Sequence, residues 1–163
     1  MRYVMKQKIW CLGDDFRIQD ADGNDRFVVD GRAFSFGHKL SFQDLSGKEL
    51  AFIRQRLFSW GPAYEIYRDG VLAAVVKKHL FTFIHCKFEV DGPGANDFEA
   101  NGDFMDHEYE IVGGHCVAAR VSKKWFSWSD TYGVEIADGQ DQVLFLATAV
   151  VIDLVCHDQH DKH

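Results

Sequence analysis

The sequence predicts a mainly β protein, in which a closed antiparallel barrel of about 12 strands encloses a hydrophobic C-terminal α-helix. Three observations support this fold class. Turn signals recur at a nearly constant interval, the segments between them alternate as strands do, and the last apolar segment contains no turn residue. At 163 residues, the chain is expected to form a single domain, with the barrel over 1–140, the central helix over 141–157 and a polar tail over 158–163.

The turn signals are two-residue pairs that favour tight hairpins, because their glycines accept positive φ angles. They are Asp22-Gly23, Asp30-Gly31, Ser46-Gly47, Asp69-Gly70, Asp91-Gly92, Asn101-Gly102, Gly113-Gly114 and Asp138-Gly139. Six of these glycines, at 23, 47, 70, 92, 114 and 139, follow one another at intervals of 22 to 25 residues. A unit of about 23 residues accommodates two strands with their connections, so six units predict about twelve strands.

The segments between the turns combine an aromatic-rich run with an alternating strand. Alternation is clear in Tyr64–Tyr67, Phe88–Val90 and Tyr132–Ile136, where apolar side chains share one face. The aromatic runs include Trp10, Trp60, Trp125 and Trp128. We expect these rings to pack in the core against the central helix; the alternatives are a ligand pocket or insertion at a membrane surface.

The C-terminal segment is predicted to be the helix. Of the 14 residues from Val143 to Cys156, 12 are apolar, with Thr148 and Asp153 as the interruptions, and Asp141 can serve as the N-cap. The β-branched content leaves a strand as the alternative. A helix that is apolar all round must be buried, and a barrel of about twelve strands has a lumen wide enough to hold it. Asp153 then needs a partner, for which Arg120 or a lysine of a facing strand is expected.

The composition limits the partners. With 18 basic and 25 acidic residues the net charge is −7, which disfavours nucleic acid as a general partner. No apolar run is long enough to span a bilayer as a helix, and Lys6 and Lys8 interrupt the N-terminal segment where a signal peptide would need an apolar stretch. We therefore expect a cytoplasmic protein, with peripheral attachment to a membrane as an option. The four scattered cysteines favour reduced thiols, and two disulfides are the alternative.

Paired basic residues recur beside the aromatic runs. They are Lys6 and Lys8, Arg54 and Arg56, Lys77 and Lys78, and Lys123 and Lys124. If neighbouring units bring several of them to one rim of the barrel, they would form a binding site for phosphate groups such as lipid headgroups. The alternative is that they are solvent-facing strand positions, since adjacent residues of a strand point to opposite sides.

Other candidate sites are weaker. The loop from Asp20 to Asp25 resembles a calcium loop, but its register lacks the required glycine and glutamate, so a solvated hairpin turn is expected. The tail residues His157, His160 and His163 could bind a metal adventitiously, although a frayed end is expected. The sequence offers no nucleophile with a base: the pairs His85-Cys86 and His115-Cys116 would point apart, and Ser127, Ser129 and Asp130 lack a histidine partner. No catalytic residue, metal or cofactor is predicted.

The phrases YVMKQKIW, FRIQDADGNDRFVV, AYEIY, VVKKHLFTF and SKKWFSWSDTYGVEI, followed by the apolar C-terminal segment, resemble the LURP-one-related family. The resemblance implies the tubby C-terminal-like fold, a twelve-stranded barrel around a hydrophobic helix. The wider group includes phosphoinositide-binding tubby domains and phospholipid scramblases, which implies contact with lipid headgroups. This chain lacks the scramblases' proline-rich extension and palmitoylation cysteines. A non-enzymatic binding module for phospholipid headgroups or another anionic ligand is therefore expected; the alternatives are a structural or protein-interaction module, and an enzyme with its site at the barrel mouth.

Overall fold

A computed structural model describes residues 1–6, 15–33, 37–80, 86–93, 97–125 and 130–158. It contains twelve strands and one helix. The strands are β1 (Arg2–Lys6), β2 (Phe16–Asp20), β3 (Asp25–Ala33), β4 (His38–Asp44), β5 (Glu49–Gln55), β6 (Ala63–Arg68), β7 (Val71–Leu80), β8 (Cys86–Asp91), β9 (Phe98–Asp103), β10 (Glu108–Gly113), β11 (Cys116–Ser122) and β12 (Thr131–Ile136). The helix is α1 (Gln142–Asp158).

The twelve strands form a closed barrel. Each strand pairs antiparallel with the next one along the chain, and β12 pairs with β1 in a register that runs from Glu135 opposite Arg2 to Thr131 opposite Lys6. Closure gives every strand two neighbours, so no long sheet edge is exposed. The predicted antiparallel barrel is therefore confirmed.

The barrel has two different ends. At one, the turn end, short connections over 21–24, 45–48, 69–70 and 114–115 join successive strands, together with 92–97 and the passage 137–141 into α1. The six evenly spaced glycines all lie at this end, because one interval of about 23 residues corresponds to one strand up and one strand down. At the other end, the loop end, β1, β3, β5, β7, β9 and β11 end and the strands that follow them begin; the connections described in full there are 56–62 and 104–107, and residues 123–125 and 130 are also described. The predicted repeat is thus a repeat of hairpins around the barrel.

Two predicted turns are wrong. Asp30-Gly31 lies inside β3, where Asp30 stands opposite Ser41 and Gly31 opposite Leu40 in a continuous register. Asn101-Gly102 lies inside β9, opposite Glu110 and Tyr109. Pairing with the neighbouring strand overrides the local turn preference at both sites. At Gly102 the glycine is required for another reason, because φ is +141° and a Cβ would come within 2.5 Å of the Glu108 carbonyl oxygen.

Helix α1 occupies the lumen, as predicted. Asp141 caps its first turn, since its Oδ1 accepts a hydrogen bond of 3.1 Å from the Leu144 amide. Residues 149–152, which make a full turn, are each at most 1% exposed. The buried Thr148 hydroxyl donates a hydrogen bond to the Leu144 carbonyl oxygen at 2.9 Å. Within the described residues, no helix has the length and hydropathy needed to cross a bilayer.

Candidate functional site

Charge is distributed unevenly between the two ends of the barrel. Acidic residues lie in or directly beside most of the turn-end connections, and they include Asp20, Asp22, Asp44, Asp69, Asp138 and Asp141. The strands run so that the seven predicted basic residues within the described chain, all except Lys8, lie in the loop-end half of their strands or just beyond. In a molecule with net charge −7, these cations thereby lie opposite the acidic turns, at an end that also carries the exposed residues Asp106 and Asp130.

Arg54 and Arg56 converge on one carboxylate on the outer face of the barrel. Arg54 donates to Glu65 at 2.7 Å and to the Tyr67 hydroxyl at 2.8 Å, and Arg56 Nε donates to Glu65 at 3.0 Å. The hydrogen bond from Tyr67, followed by those from the two guanidinium groups, lowers the pKa of Glu65 to about 2. The structure therefore brings this pair together, but both guanidinium groups form ion pairs with Glu65 of the same chain.

Lys77 and Lys78 point to opposite faces of β7, as alternation requires. Lys77 Nζ lies 3.5 Å from Asp91 on the outer surface. Lys78 lies on the same face of β7 as the buried residues Ala74 and Val76 and is half-buried near the mouth. Burial raises the pKa of the nearby Cys156 to about 12, and the charge of Lys78 opposes that rise. A cation near the C-terminal end of α1 also complements the helix dipole.

A second basic sector is formed by Lys6, the last residue of β1, and by Lys123 and Lys124, which directly follow β11; β1 and β11 lie on either side of β12. Lys6 is exposed, and the side chain of Lys124 is 82% exposed with Nζ 3.9 Å from Glu108. The Glu108 carboxylate also accepts hydrogen bonds from the backbone amides of both Lys123 and Lys124, at 3.0 and 3.3 Å. The amides of this turn are thus occupied, while the Lys124 side chain extends into solvent. Lys8 lies outside the described residues.

The predicted basic residues accordingly form two sectors of the loop end. One comprises Arg54, Arg56, Lys77 and Lys78 on β5 to β7, and the other comprises Lys6, Lys123 and Lys124 on β11 to β1. Glu65 neutralises much of the first sector, and Glu108 part of the second.

The connection 56–62 in the first sector carries exposed aromatic side chains. Phe58 is 97% exposed and Trp60 is 106% exposed. The expectation that Trp60 packs in the core is therefore wrong, because its loop projects beyond the end of the lumen that α1 fills. Trp125 is half-buried under the Arg2 guanidinium, whose Cζ lies 4.4 Å from the ring centroid. Trp10 and Trp128 lie outside the described residues.

A buried polar cluster lies inside the loop-end half of the barrel. His107 Nε2 is 2.7 Å from Asp153 Oδ1, and Tyr132 donates to Asp153 Oδ2 at 3.3 Å. Burial, followed by the Asp153 charge, raises the pKa of Tyr132 well above its usual value. The expectation that Arg120 is the partner of Asp153 is wrong, because Arg120 lies on the outer surface, where it donates to Glu110 at 2.7 Å. The alternative, a lysine of a facing strand, stays a prediction. His107 reaches inward from a backbone with φ of +52°, an uncommon conformation for a residue other than glycine.

The described surface contains two notable grooves, and neither is lined by the buried cluster. One of about 370 Å³ lies along β5 and β6 and includes Leu50, Arg54 and Tyr67. The other, of about 490 Å³, lies at the turn-end mouth and includes Leu72, Phe98 and Leu144, beside the ion pair that Arg68 forms with Asp141 at 2.7 Å. Neither groove contains a histidine or cysteine that could act as a base or nucleophile.

The remaining sequence candidates have structural explanations or cannot be placed. Asp20 accepts hydrogen bonds from the backbone amides of Asp22 and Asn24, both at 3.0 Å, so this loop is the expected hairpin turn. Within the described parts of the chain, no three His, Cys, Asp or Glu side chains converge as a metal site. His115, Cys116 and Asp130 are exposed. His85, Ser127, Ser129, and the tail residues His160 and His163 lie outside the described residues, as does the side chain of His157.

Three polar residues that organise this end of the barrel were not singled out from the sequence. Glu65 stands opposite Arg54 in the β5–β6 register, so its role could have been inferred once those strands were aligned. Glu108 and His107 belong to the repeat with the weakest pattern, and their partners Ser122 and Asp153 are distant in sequence. No local signal identifies those contacts.

Comparison with known proteins identifies the family. The chain matches the family model described as LURP-one-related over residues 1–153. It is 39% identical over 158 residues to the uncharacterized protein YxjI of Bacillus subtilis strain 168, covering 97% of this chain and 95% of that protein. An X-ray structure of an Arabidopsis thaliana protein superposes with a TM-score of 0.66 at 19% identity, covering 99% of this chain and 91% of that one, which supports the tubby-like fold. On this evidence, the chain belongs to the LURP-one-related family.

Proposed function

We propose that this protein is a non-enzymatic binding module that attaches, through the loop end of its barrel, to anionic phospholipid headgroups at a membrane surface. The observation that carries the proposal is the separation of charge between the two ends: acidic turns at one, and the paired basic residues at the other. The proposed place of action is the cytoplasm, with peripheral attachment to the membrane.

The net charge of −7 repels an anionic surface at a distance, but the charge separation orients the molecule. The acidic turn end faces away, and the loop end approaches the lipid. Each lysine close to such a surface contributes about 1 kcal/mol, and the attraction falls off within a Debye length, which is about 8 Å at physiological ionic strength. Binding is therefore expected to weaken as salt is added.

The side chains best placed for this contact are those that no strong carboxylate contact neutralises. Lys6 is exposed, and Lys124 lies 3.9 Å from its nearest carboxylate. Arg54 and Arg56 are held on Glu65 at 2.7 and 3.0 Å, so they contribute less unless the lipid phosphate displaces that carboxylate. Lys6 and Lys124 should accordingly account for more of the lipid affinity than the arginine pair.

Vesicle sedimentation tests the proposal. The wild-type protein should bind vesicles of phosphatidylcholine with phosphatidylserine, and bind phosphatidylcholine alone far more weakly. The double variant Lys6→Glu with Lys124→Glu should lose at least about tenfold in affinity, because two attractions become repulsions. Lys48→Glu is the matched control, since Lys48 is exposed at the turn end, and it should leave the affinity nearly unchanged. Equal binding to both vesicle types, or equal loss in the control, would contradict the proposal.

A further inference from the structure

The connection 56–62 presents an apolar surface that the barrel itself does not use. Phe58 is 97% exposed, Trp60 is 106% exposed and Leu57 is 52% exposed. Aromatic side chains of this size are mostly buried in single-domain proteins, and several of them exposed together mark an interaction site. We infer that Phe58 and Trp60 form an insertion element that enters the headgroup and acyl boundary of a lipid bilayer when the loop end docks. This inference rests on the function proposed above and specifies how the bilayer is held.

The loop is preorganised to hold both rings outward. The Arg56 amide donates to the Ala63 carbonyl at 2.8 Å, which closes the base of the loop. The Lys78 amide donates to the Pro62 carbonyl at 3.0 Å, which fixes the loop to β7. At the tip, the Ser59 hydroxyl donates to the Gly61 carbonyl at 2.6 Å. Little conformational entropy is then lost on insertion, because the loop is already ordered.

The backbone conformation at Gly61 also helps to hold the loop in this outward-facing arrangement. Its φ is +87°, a left-handed conformation that glycine adopts readily, and a Cβ at this position would lie 3.4 Å from the Lys78 carbonyl oxygen. On the other side of the loop, Leu57 is so close to Gly37, which immediately precedes β4, that a Cβ on Gly37 would lie 2.9 Å from the Leu57 Cδ2. Leu57 therefore packs back against the barrel, whereas Phe58 and Trp60 project from it.

The residues around the loop favour a bilayer as the occupant. Arg56, which is paired with Glu65, lies at the base of the loop, and the outward-facing Lys77 stands opposite Ala63, the residue that follows the loop, so two cations lie beside the apolar tip. Tryptophan is enriched at membrane interfaces, where the ring contacts acyl chains and its N–H remains in the polar layer. Apolar rings flanked by basic side chains match the layered chemistry of an anionic bilayer, with hydrocarbon beneath phosphate.

Two measurements on the full chain test the inference. The first is quenching of tryptophan fluorescence by phosphatidylcholine–phosphatidylserine vesicles whose acyl chains are brominated. The wild-type protein should show a quenched, blue-shifted component, and Trp60→Phe should lack it, which assigns the component to Trp60. Soluble glycerophosphoserine should cause no such shift, which separates bilayer insertion from recognition of the headgroup alone.

The second measurement is sedimentation of the variant Phe58→Ser with Trp60→Ser. Its affinity for the same anionic vesicles should fall at least about tenfold, because two apolar rings no longer leave water. The matched control is Val71→Ser with Leu72→Ser, which removes exposed apolar side chains at the turn end, where Val71 is 68% and Leu72 36% exposed. It should bind as the wild type does. Unchanged circular dichroism and thermal midpoints would show that both variants fold.

The outcomes separate the two proposals. If the wild-type protein binds anionic vesicles but Trp60 is not quenched and the serine variant binds equally well, the insertion element is refuted while headgroup binding stands. If the wild-type protein does not bind anionic vesicles at all, the proposed function is refuted, and the insertion element with it. Binding only to another protein through Phe58 and Trp60, without vesicle quenching, would also overturn the inference.

Discussion

Replacing Val151 with lysine should abolish folding, because the side chain lies at the centre of the lumen. Val151 is 0% exposed, and its helical neighbours Ala149, Val150 and Ile152 are at most 1% exposed. A lysine can usually extend along an apolar surface until its ammonium group reaches water. Here every side of this helical turn faces the barrel wall, so the ammonium group has no path to solvent unless α1 leaves the lumen.

The expected loss follows from that enclosure. Burying an unpaired charge costs several kcal/mol, which is comparable with the whole stability of a typical domain, about 5–15 kcal/mol. Val151→Ala should cost only about 1.5–3 kcal/mol, since it removes two methyl groups without introducing a charge. Deprotonating the buried lysine should recover part of the loss, so any residual stability of Val151→Lys should rise as the pH approaches about 10.4.

Urea unfolding followed by near- and far-ultraviolet circular dichroism measures these differences. Val71→Lys is the matched control, since it makes the same change at a valine that is 68% exposed and should alter the free energy of unfolding by no more than about 0.5 kcal/mol. A Val151→Lys protein with native spectra and the same unfolding midpoint as Val71→Lys would refute the enclosure of the helix.

Three further predictions concern buried or networked groups. His107→Ala should lower the free energy of unfolding by about 3–5 kcal/mol, because it removes the 2.7 Å contact from a buried carboxylate. Asp153→Asn should cost less, about 1–3 kcal/mol. Urea unfolding of both variants checks which of the two is the more destabilising. The pKa of Glu65 is lowered from 4.5 to about 2, so its contribution to stability is complete above pH 4.5 and is lost as the pH falls towards 2. The difference in the free energy of unfolding between wild type and Glu65→Gln should therefore shrink over that interval. An unchanged difference would contradict the network. Since burial raises the pKa of Cys156 to about 12, iodoacetamide should modify exposed Cys116 first and Cys156 only after denaturation, as mass spectrometry of the digested protein would show.

The family and the architecture could be predicted largely from local patterns. Glycines such as Gly47 and Gly70 mark the turns because positive φ angles favour glycine, and here φ is +86° and +78°. The segment after Asp141 is predicted to be an enclosed helix, because its apolar residues would cover the whole circumference of a helix and such a helix must be buried on all sides. These properties belong to short stretches of chain, so they can be read without knowing which strands meet.

The partners of the polar groups could be decided only by the tertiary structure. Asp153 interrupts the apolar helix visibly in the sequence, but its carboxylate contacts His107 and Tyr132, which are 46 and 21 positions away in the chain. Likewise, Arg54 and Arg56 form a recognisable basic pair, yet Glu65 on the next strand occupies both of them. The composition alone cannot show that acidic turns gather at one end of the barrel and cations at the other, or that Trp60 stands in water.

The physical reason for this division is the range of the interactions involved. Backbone conformation and hydrophobic periodicity depend on a residue and its immediate neighbours, so the sequence by itself determined the alternation of the strands, most of the turns, the helix and its burial. Strand pairing overrode the turn signals at Gly31 and Gly102. Ion pairs, buried hydrogen bonds and exposed patches depend on which strands become neighbours and in which register, and closure of the barrel sets both. The surface from which function is proposed was therefore decided by the tertiary structure.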